Sequence, residues 1–256
     1  MLSLLLLGWF IRAYQIDVQE VFIDEGYHAA RAVVLYDFEQ HPARTANGKL
    51  GLYFWLGLFE PPYDATLRIF RLMVALPALL TGALVYRITR ELDGGPGAAL
   101  LALGLYMMLP FAFFFERLAL ADPFAAMFAS AVAWRSIIFA RRPNWQEGAV
   151  LGLLLAGATL AKLTMGLLPL LPVAASVLAV YQTGARGRAL VAQGGQRYLL
   201  GLVVAAGVLT ACWLPVFIPA GIAELNGEPF ILVNPYNLEQ IENADPWREA
   251  QNLVPM

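Results

Sequence analysis

The chain has 256 residues, a formal net charge of −2 and one cysteine; 59% of its residues are hydrophobic, 14% are charged, and its mean hydropathy is +0.62. Soluble domains carry about 25% charged residues, so a soluble chain of this size has too little polar surface to cover its apolar content, and the composition indicates an all-α polytopic membrane protein. The near-neutral charge gives no global basic field for nucleic acid, and the lone Cys212 rules out an internal disulfide or a thiolate metal site.

In chain order, residues 1–14 open with an apolar run too short for a span, and no small-residue cleavage site follows it. They read as the outer half of a first span whose beginning is missing. Residues 15–70 form a long loop. Within it, 24–38 predicts a helix with Ala29, Ala30, Val33 and Val34 on one face, suited to lying along a membrane surface. Residues 49–59 predict a second amphipathic stretch, whose Tyr53, Phe54, Trp55 and Phe59 fit an interfacial aromatic belt.

A span needs about 20 apolar residues, and the runs 72–88, 97–115, 118–140, 148–161, 163–181 and 198–219 supply six more candidates. The stretch 148–181 as one helix would be about 50 Å long, too long for a hydrocarbon core of about 30 Å. Lys162 at its centre, with Gly166, Pro169 and Pro172 after it, predicts two spans and a tight turn. The expected organisation is a transmembrane module over 1–219 with about seven spans, then the start of a second outer loop over 220–256. The chain reads as a fragment.

The loops holding Arg87 and Arg90, Arg141 and Arg142, and Arg186, Arg188 and Arg197 alternate, and the positive-inside rule makes them cytoplasmic. The opposite, outer side then receives residues 15–70, the Glu116-Arg117 turn, Lys162 and the tail from Gly221.

Along the chain lie five motifs, four of them on that outer side and one running down the second span: Ile23-Asp24-Glu25-Gly26-Tyr27; Lys49-Leu50-Gly51-Leu52-Tyr53-Phe54-Trp55; Arg71-Leu72 leading through the span to Tyr86-Arg87; Arg117-Leu118-Ala119-Leu120-Ala121-Asp122-Pro123; and Leu160-Ala161-Lys162 with Gly166 and Pro169. In order and spacing they resemble the bacterial and archaeal relatives of protein O-mannosyltransferases and of the aminoarabinose transferase that modifies lipid A. These are integral-membrane glycosyltransferases of the GT-C class, which use polyprenyl-phosphate sugars. The resemblance implies a GT-C transmembrane module with amphipathic surface helices in its first outer loop. It also implies inverting transfer of a sugar from a polyprenyl-phosphate donor to a hydroxyl of a protein, lipid or glycan acceptor, at the extracytoplasmic face of the plasma membrane. No cofactor is specified, and a divalent cation is left open.

Such a site needs a base within hydrogen-bond reach of the acceptor hydroxyl, roughly 2.6–3.2 Å, and cations for the leaving phosphate. Asp24 is the expected catalytic base, or else a helix N-cap. Glu25 points about 100° away around the helix and reads as an acceptor contact, a metal ligand or a solvated charge. His28 shares a face with Asp24 and reads as a hydrogen-bonded interfacial histidine or, less simply, a metal ligand. Lys49 is the leading phosphate contact, or a snorkelling lysine. Arg117 binds phosphate or pairs with Glu116. Asp122 caps a helix started by Pro123, or faces Asp24 and orients donor hydroxyls or a cation. Lys162 between two spans must reach water, phosphate or a carboxylate. Arg68 and Arg71 contact phosphate or anchor the outer end of the second span. The rival classes are a transporter or lipid flippase and a non-catalytic scaffold. A transporter calls for ionisable groups near mid-bilayer and repeated halves, whereas here the acidic groups gather at one face and no repeat is visible.

Overall fold

The computed structural model describes residues 1–37, 41–42, 46, 48–58, 66–182 and 195–226, and among them all regular structure is helical. The helices in chain order are α1 (Leu2–Ala13), α2 (Ile23–Val34), α3 (Leu50–Gly57), α4 (Thr66–Glu91), α5 (Pro96–Met108), α6 (Pro110–Phe115), α7 (Ala121–Arg141), α8 (Trp145–Ala161), α9 (Leu170–Gln182) and α10 (Gln196–Leu225). Four helical stretches are long and apolar enough to cross a membrane: Thr66–Glu91, Ala121–Arg141, Leu163–Gln182 and Gln196–Ala223. Two shorter apolar helices, α5 and α8, stand beside them. This is the all-helical polytopic membrane architecture that the composition predicts.

Two breaks in the apolar pattern have clear local causes. The run 97–115 is not one straight helix. Leu109 turns to an extended conformation (ψ 114°) and Pro110 starts α6, because proline lacks an N–H and disfavours helical geometry in the residue before it. At the other break, α8 ends at Ala161, Lys162 is extended (φ −157°, ψ 120°), and a 3-10 turn over Leu163–Leu167 leads into α9. The predicted turn at Lys162 is therefore present.

The bundle is organised around α7, which packs on α4, α8 and α9; α4 also holds α1 and α5, and α8 holds α10. Close approach of α8 and α10 depends on small residues. A Cβ added at Gly148 would strike the Gly201 backbone, and one at Gly152 would meet Ala205 O at 2.5 Å.

The two surface helices α2 and α3 pack against one another and against α4 and α8. The inward face of α2 is Glu25, His28 and Ala32, while Val33 and Val34 stay exposed. In α3, Leu52, Tyr53 and Leu56 are fully buried. Trp55 donates Nε1–H to Met73 O at 2.9 Å and stacks on Phe124. The expected aromatic belt of this segment is thus largely an internal contact; Phe59 lies outside the described residues.

At the same end of the bundle, Arg12 of α1 is fully buried and donates Nε–H to Glu116 Oε2 at 2.7 Å, while the Tyr106 hydroxyl donates to Glu116 Oε1. Glu116 is therefore the partner of Arg12 rather than of Arg117. An unpaired charge buried here would cost several kcal/mol, so this pair fixes α1 to the turn between α6 and α7.

Candidate active site

The site grows from the start of α2. Phe22 is the N-cap and Ile23 the first helical residue, so Asp24 stands in the first turn and its carboxylate is not used as the cap. Glu25 performs that task, since its Oε2 accepts the Phe22 N–H at 2.9 Å. The same carboxylate takes Arg71 Nε–H and Nη2–H at 2.8 and 2.7 Å, and Ala119 N–H at 2.7 Å. Arg71 donates further to the carbonyls of Ile16, Gln19 and Glu20. Glu25 and Arg71 are both fully buried. This clamp ties the first outer loop to α4 and to the turn before Asp122. Glu25 is thus neither solvated nor open to a ligand, because its acceptor positions are filled from inside the protein. Arg71 is an anchor, and the exposed Arg68 lies 3.5 Å from Asp17.

Beside this clamp, side chains from four segments converge. Asp24, His28 and Arg31 come from α2, Lys49 and Tyr53 from α3 and its N-cap, Asp122 from the first turn of α7, and Lys162 from the end of α8. Lys162 Nζ donates to Asp122 Oδ1 at 2.6 Å. Lys49 Nζ lies 3.4 Å from His28 Nε2, and His28 Nδ1 lies 3.1 Å from the Tyr53 hydroxyl, with the Arg31 guanidinium close enough to act on that hydroxyl. Burial lowers the Lys49 pKa and the nearby Asp24 carboxylate raises it, with Lys162, Arg31 and Asp122 also close enough to act. Burial pushes the Tyr53 hydroxyl up. Three cations thus face two carboxylates, so the cleft carries a small positive excess suited to an anion.

An apolar groove of about 290 Å³ opens beside Lys162, lined by Thr159, Leu163, Gly166, Pro169, Leu209, Thr210, Trp213 and Phe217. It places a lipid-sized apolar surface next to the charged cluster.

Of the residues expected from sequence, Asp24, Lys49, Asp122 and Lys162 meet here, and His28 joins them. Arg117 does not. Its Nη2 donates to the carbonyls of Tyr14 and Gln15, and its guanidinium lies 5.2 Å from the centre of the Phe113 ring. Asp122 does not cap its helix; the N-cap is Leu120, and the Asp122 carboxylate is left to Lys162. Arg31 and Tyr53 were missed. Arg31 is legible as the residue three positions after His28 on the Asp24 face, but nothing in the apolar run 50–57 distinguishes Tyr53 from its neighbours. Among the described residues, no three of His, Cys, Asp and Glu gather as a cation site. Asp122 instead bonds the Lys162 ammonium.

Comparison with curated proteins and with solved structures gave no match. The family model described as dolichyl-phosphate-mannose-protein mannosyltransferase matches residues 63–213. The match takes in Arg117, Asp122 and Lys162, while Asp24 and Lys49 precede it. As it covers more than half of this helical membrane chain, the protein belongs to the dolichyl-phosphate-mannose-protein mannosyltransferase family of glycosyltransferases.

Proposed function

We propose that the cleft transfers a sugar, mannose being the first choice, from a polyprenyl-phosphate donor to an acceptor hydroxyl, with inversion at the anomeric carbon. The observation that carries this reading is the convergence of Asp24, Lys49, Asp122 and Lys162, from separate segments, beside an apolar groove. Asp24 takes the acceptor proton as the hydroxyl oxygen attacks the anomeric carbon. The bond from that carbon to the phosphate oxygen breaks on the opposite face, and polyprenyl phosphate leaves with one more negative charge than it had in the donor. Lys49, Lys162 and Arg31 stabilise that developing charge, which is where fixed donors do most for a transition state. Asp122 holds Lys162 and faces the donor hydroxyls, and the groove takes the first prenyl units. Glu25 and Arg117 support the cleft rather than touch substrate.

The sidedness follows from charge. Arg87 and Arg90 lie at the opposite end of α4 from Arg71, about 24 Å away for the sixteen residues from 71 to 87, and arginine-rich ends face the cytoplasm. On this reading the cleft opens on the extracytoplasmic side, and the membrane we assign is the plasma membrane. We count α1, the α5–α6 pair and α8 as spans beside the four helical stretches long enough to cross a membrane. The acceptor class that fits is a hydroxyl of a protein, or of a lipid or glycan presented at that surface.

Transfer of radiolabelled mannose from polyprenyl-phosphate mannose, compared between the wild type and Asp24→Asn, tests the reading. The Asn variant should lose about 10²–10⁴-fold in turnover with unchanged thermal stability, since Asp24 is exposed. Wild-type turnover by Asp24→Asn would remove this carboxylate from the chemistry.

A further inference from the structure

His28 is 2% exposed and both of its ring nitrogens have partners. An ammonium has three donors and no acceptor, so His28 Nε2, 3.4 Å from Lys49 Nζ, must present its lone pair. The ring proton then sits on Nδ1 and is donated to the Tyr53 oxygen at 3.1 Å. Tyr53 is fully buried, so the chain Tyr53–His28–Lys49 is braced at its far end by packing.

The charges around the imidazole hold it in that state. Asp24 and Arg31 lie on its own helix; Lys49 and Tyr53 come from α3 and its cap, Asp122 from α7 and Lys162 from the end of α8. A protonated ring would be a fourth cation beside Arg31, Lys49 and Lys162. Burial, then Lys49 and Arg31, push its pKa down to about 3, with Asp122 opposing. The histidine is therefore a hydrogen-bond acceptor throughout the physiological range, not a proton carrier.

We propose that His28 is the positioning residue for Lys49: its neutral Nε2 takes one ammonium N–H and so aims the other two at the phosphate of the donor. The step rests on the transferase reading and assigns a role to a residue that the reaction itself does not use. A free lysine on its four-carbon stem must lose rotamer freedom when it meets phosphate. A lysine already fixed by an imidazole has lost it beforehand, which is the condition for effective charge stabilisation in the transition state.

The test uses the purified protein in lipid nanodiscs with polyprenyl-phosphate mannose. His28→Leu removes the acceptor and should raise the donor KM about 10–100-fold, the usual consequence of losing a hydrogen bond to a charged group. His28→Gln returns an acceptor oxygen near the Nε2 position and should recover most of that loss. A merely structural histidine would instead lower thermal stability equally in both variants and leave the donor KM alone. Nitrogen NMR of the protein labelled at its two histidines, with His28 assigned by its loss in His28→Gln, reads the tautomer independently of turnover. Expected are an Nδ1–H tautomer, no titration between about pH 5 and 8, and an Nε2 shift that moves in Lys49→Met. An imidazole that titrates near its ordinary value, an Nε2–H tautomer, or an unchanged donor KM in His28→Leu overturns the proposal. Absence of any sugar transfer by the wild type would overturn the transferase reading instead, while the NMR result still decides whether His28 holds Lys49.

Discussion

Removing Glu25 tests the structural frame of the cleft without touching the groups proposed to meet substrate. In Glu25→Ala, the Arg71 guanidinium keeps its three carbonyl partners, Ile16, Gln19 and Glu20, but loses both carboxylate bonds while only 1% exposed. The Phe22 and Ala119 N–H groups lose their acceptor at the same time. Breaking one partner of a buried ion pair costs about 3–5 kcal/mol. At about 2–4 °C per kcal/mol for chains of 150–250 residues, the melting temperature should fall by about 6–20 °C. The assay is thermal unfolding in detergent or nanodiscs, followed by tryptophan fluorescence, with wild type, Glu25→Ala, Arg71→Met and the double variant Glu25→Ala/Arg71→Met. The double variant should recover part of the loss, because no charge is left buried, but not all of it, because three loop carbonyls then lack their donor. Melting of Glu25→Ala within 2 °C of wild type would refute the clamp. A double variant equal to the sum of the two single losses would show that Glu25 and Arg71 are not coupled.

Other consequences are as direct. Gly148→Leu should destabilise the α8–α10 contact and cause aggregation or early melting, whereas Gly207→Ala, with nothing near its added Cβ, should be neutral or slightly stabilising; equal behaviour of the two would contradict the close packing. Lys49→Gln should raise the donor KM at least about tenfold, through loss of a charged contact, and leave melting nearly unchanged. Stability should also depend on pH through His28. Its folded pKa of about 3 lies below its ordinary 6.5, so between those values the unfolded chain binds a proton that the folded chain refuses. That contribution is complete above pH 6.5 and is lost as pH falls toward 3. The wild type should therefore lose melting temperature relative to His28→Gln on acidification, and a difference constant from pH 7 to 4 would contradict a buried neutral imidazole.

The bundle was legible because its signals are local and strong. Apolar runs bounded by arginine pairs give the long helices, and a lysine between two such runs can only be a turn. The kink at Leu109 was less visible, since Pro110 sits in an unbroken apolar run, yet the missing N–H decides it. In the site, the shared face of Asp24 and His28 could be read from helical spacing. Glu25 and Arg71 carry a lesson about buried charge. Arg71 opens an apolar run and Glu25 stands turned away from Asp24, so each needs a partner, but a pairing across 46 positions cannot be inferred from spacing. Tyr53 and Arg117 show the same limit. Their partners are set by how α3 lies against α2 and how the turn after α6 meets the end of α1, and both are tertiary facts.

The central claim is that phosphate and prenyl chain meet at the end of the bundle where Lys49 and Lys162 stand. Photo-crosslinking with polyprenyl phosphate carrying a diazirine on its first isoprene unit, mapped by mass spectrometry, tests it most directly. Adducts at Leu163, Gly166 or Trp213, lost when unmodified polyprenyl phosphate competes, are the expected result. Adducts confined to the arginine-rich end of the helices, near Arg87 and Arg141, would contradict it.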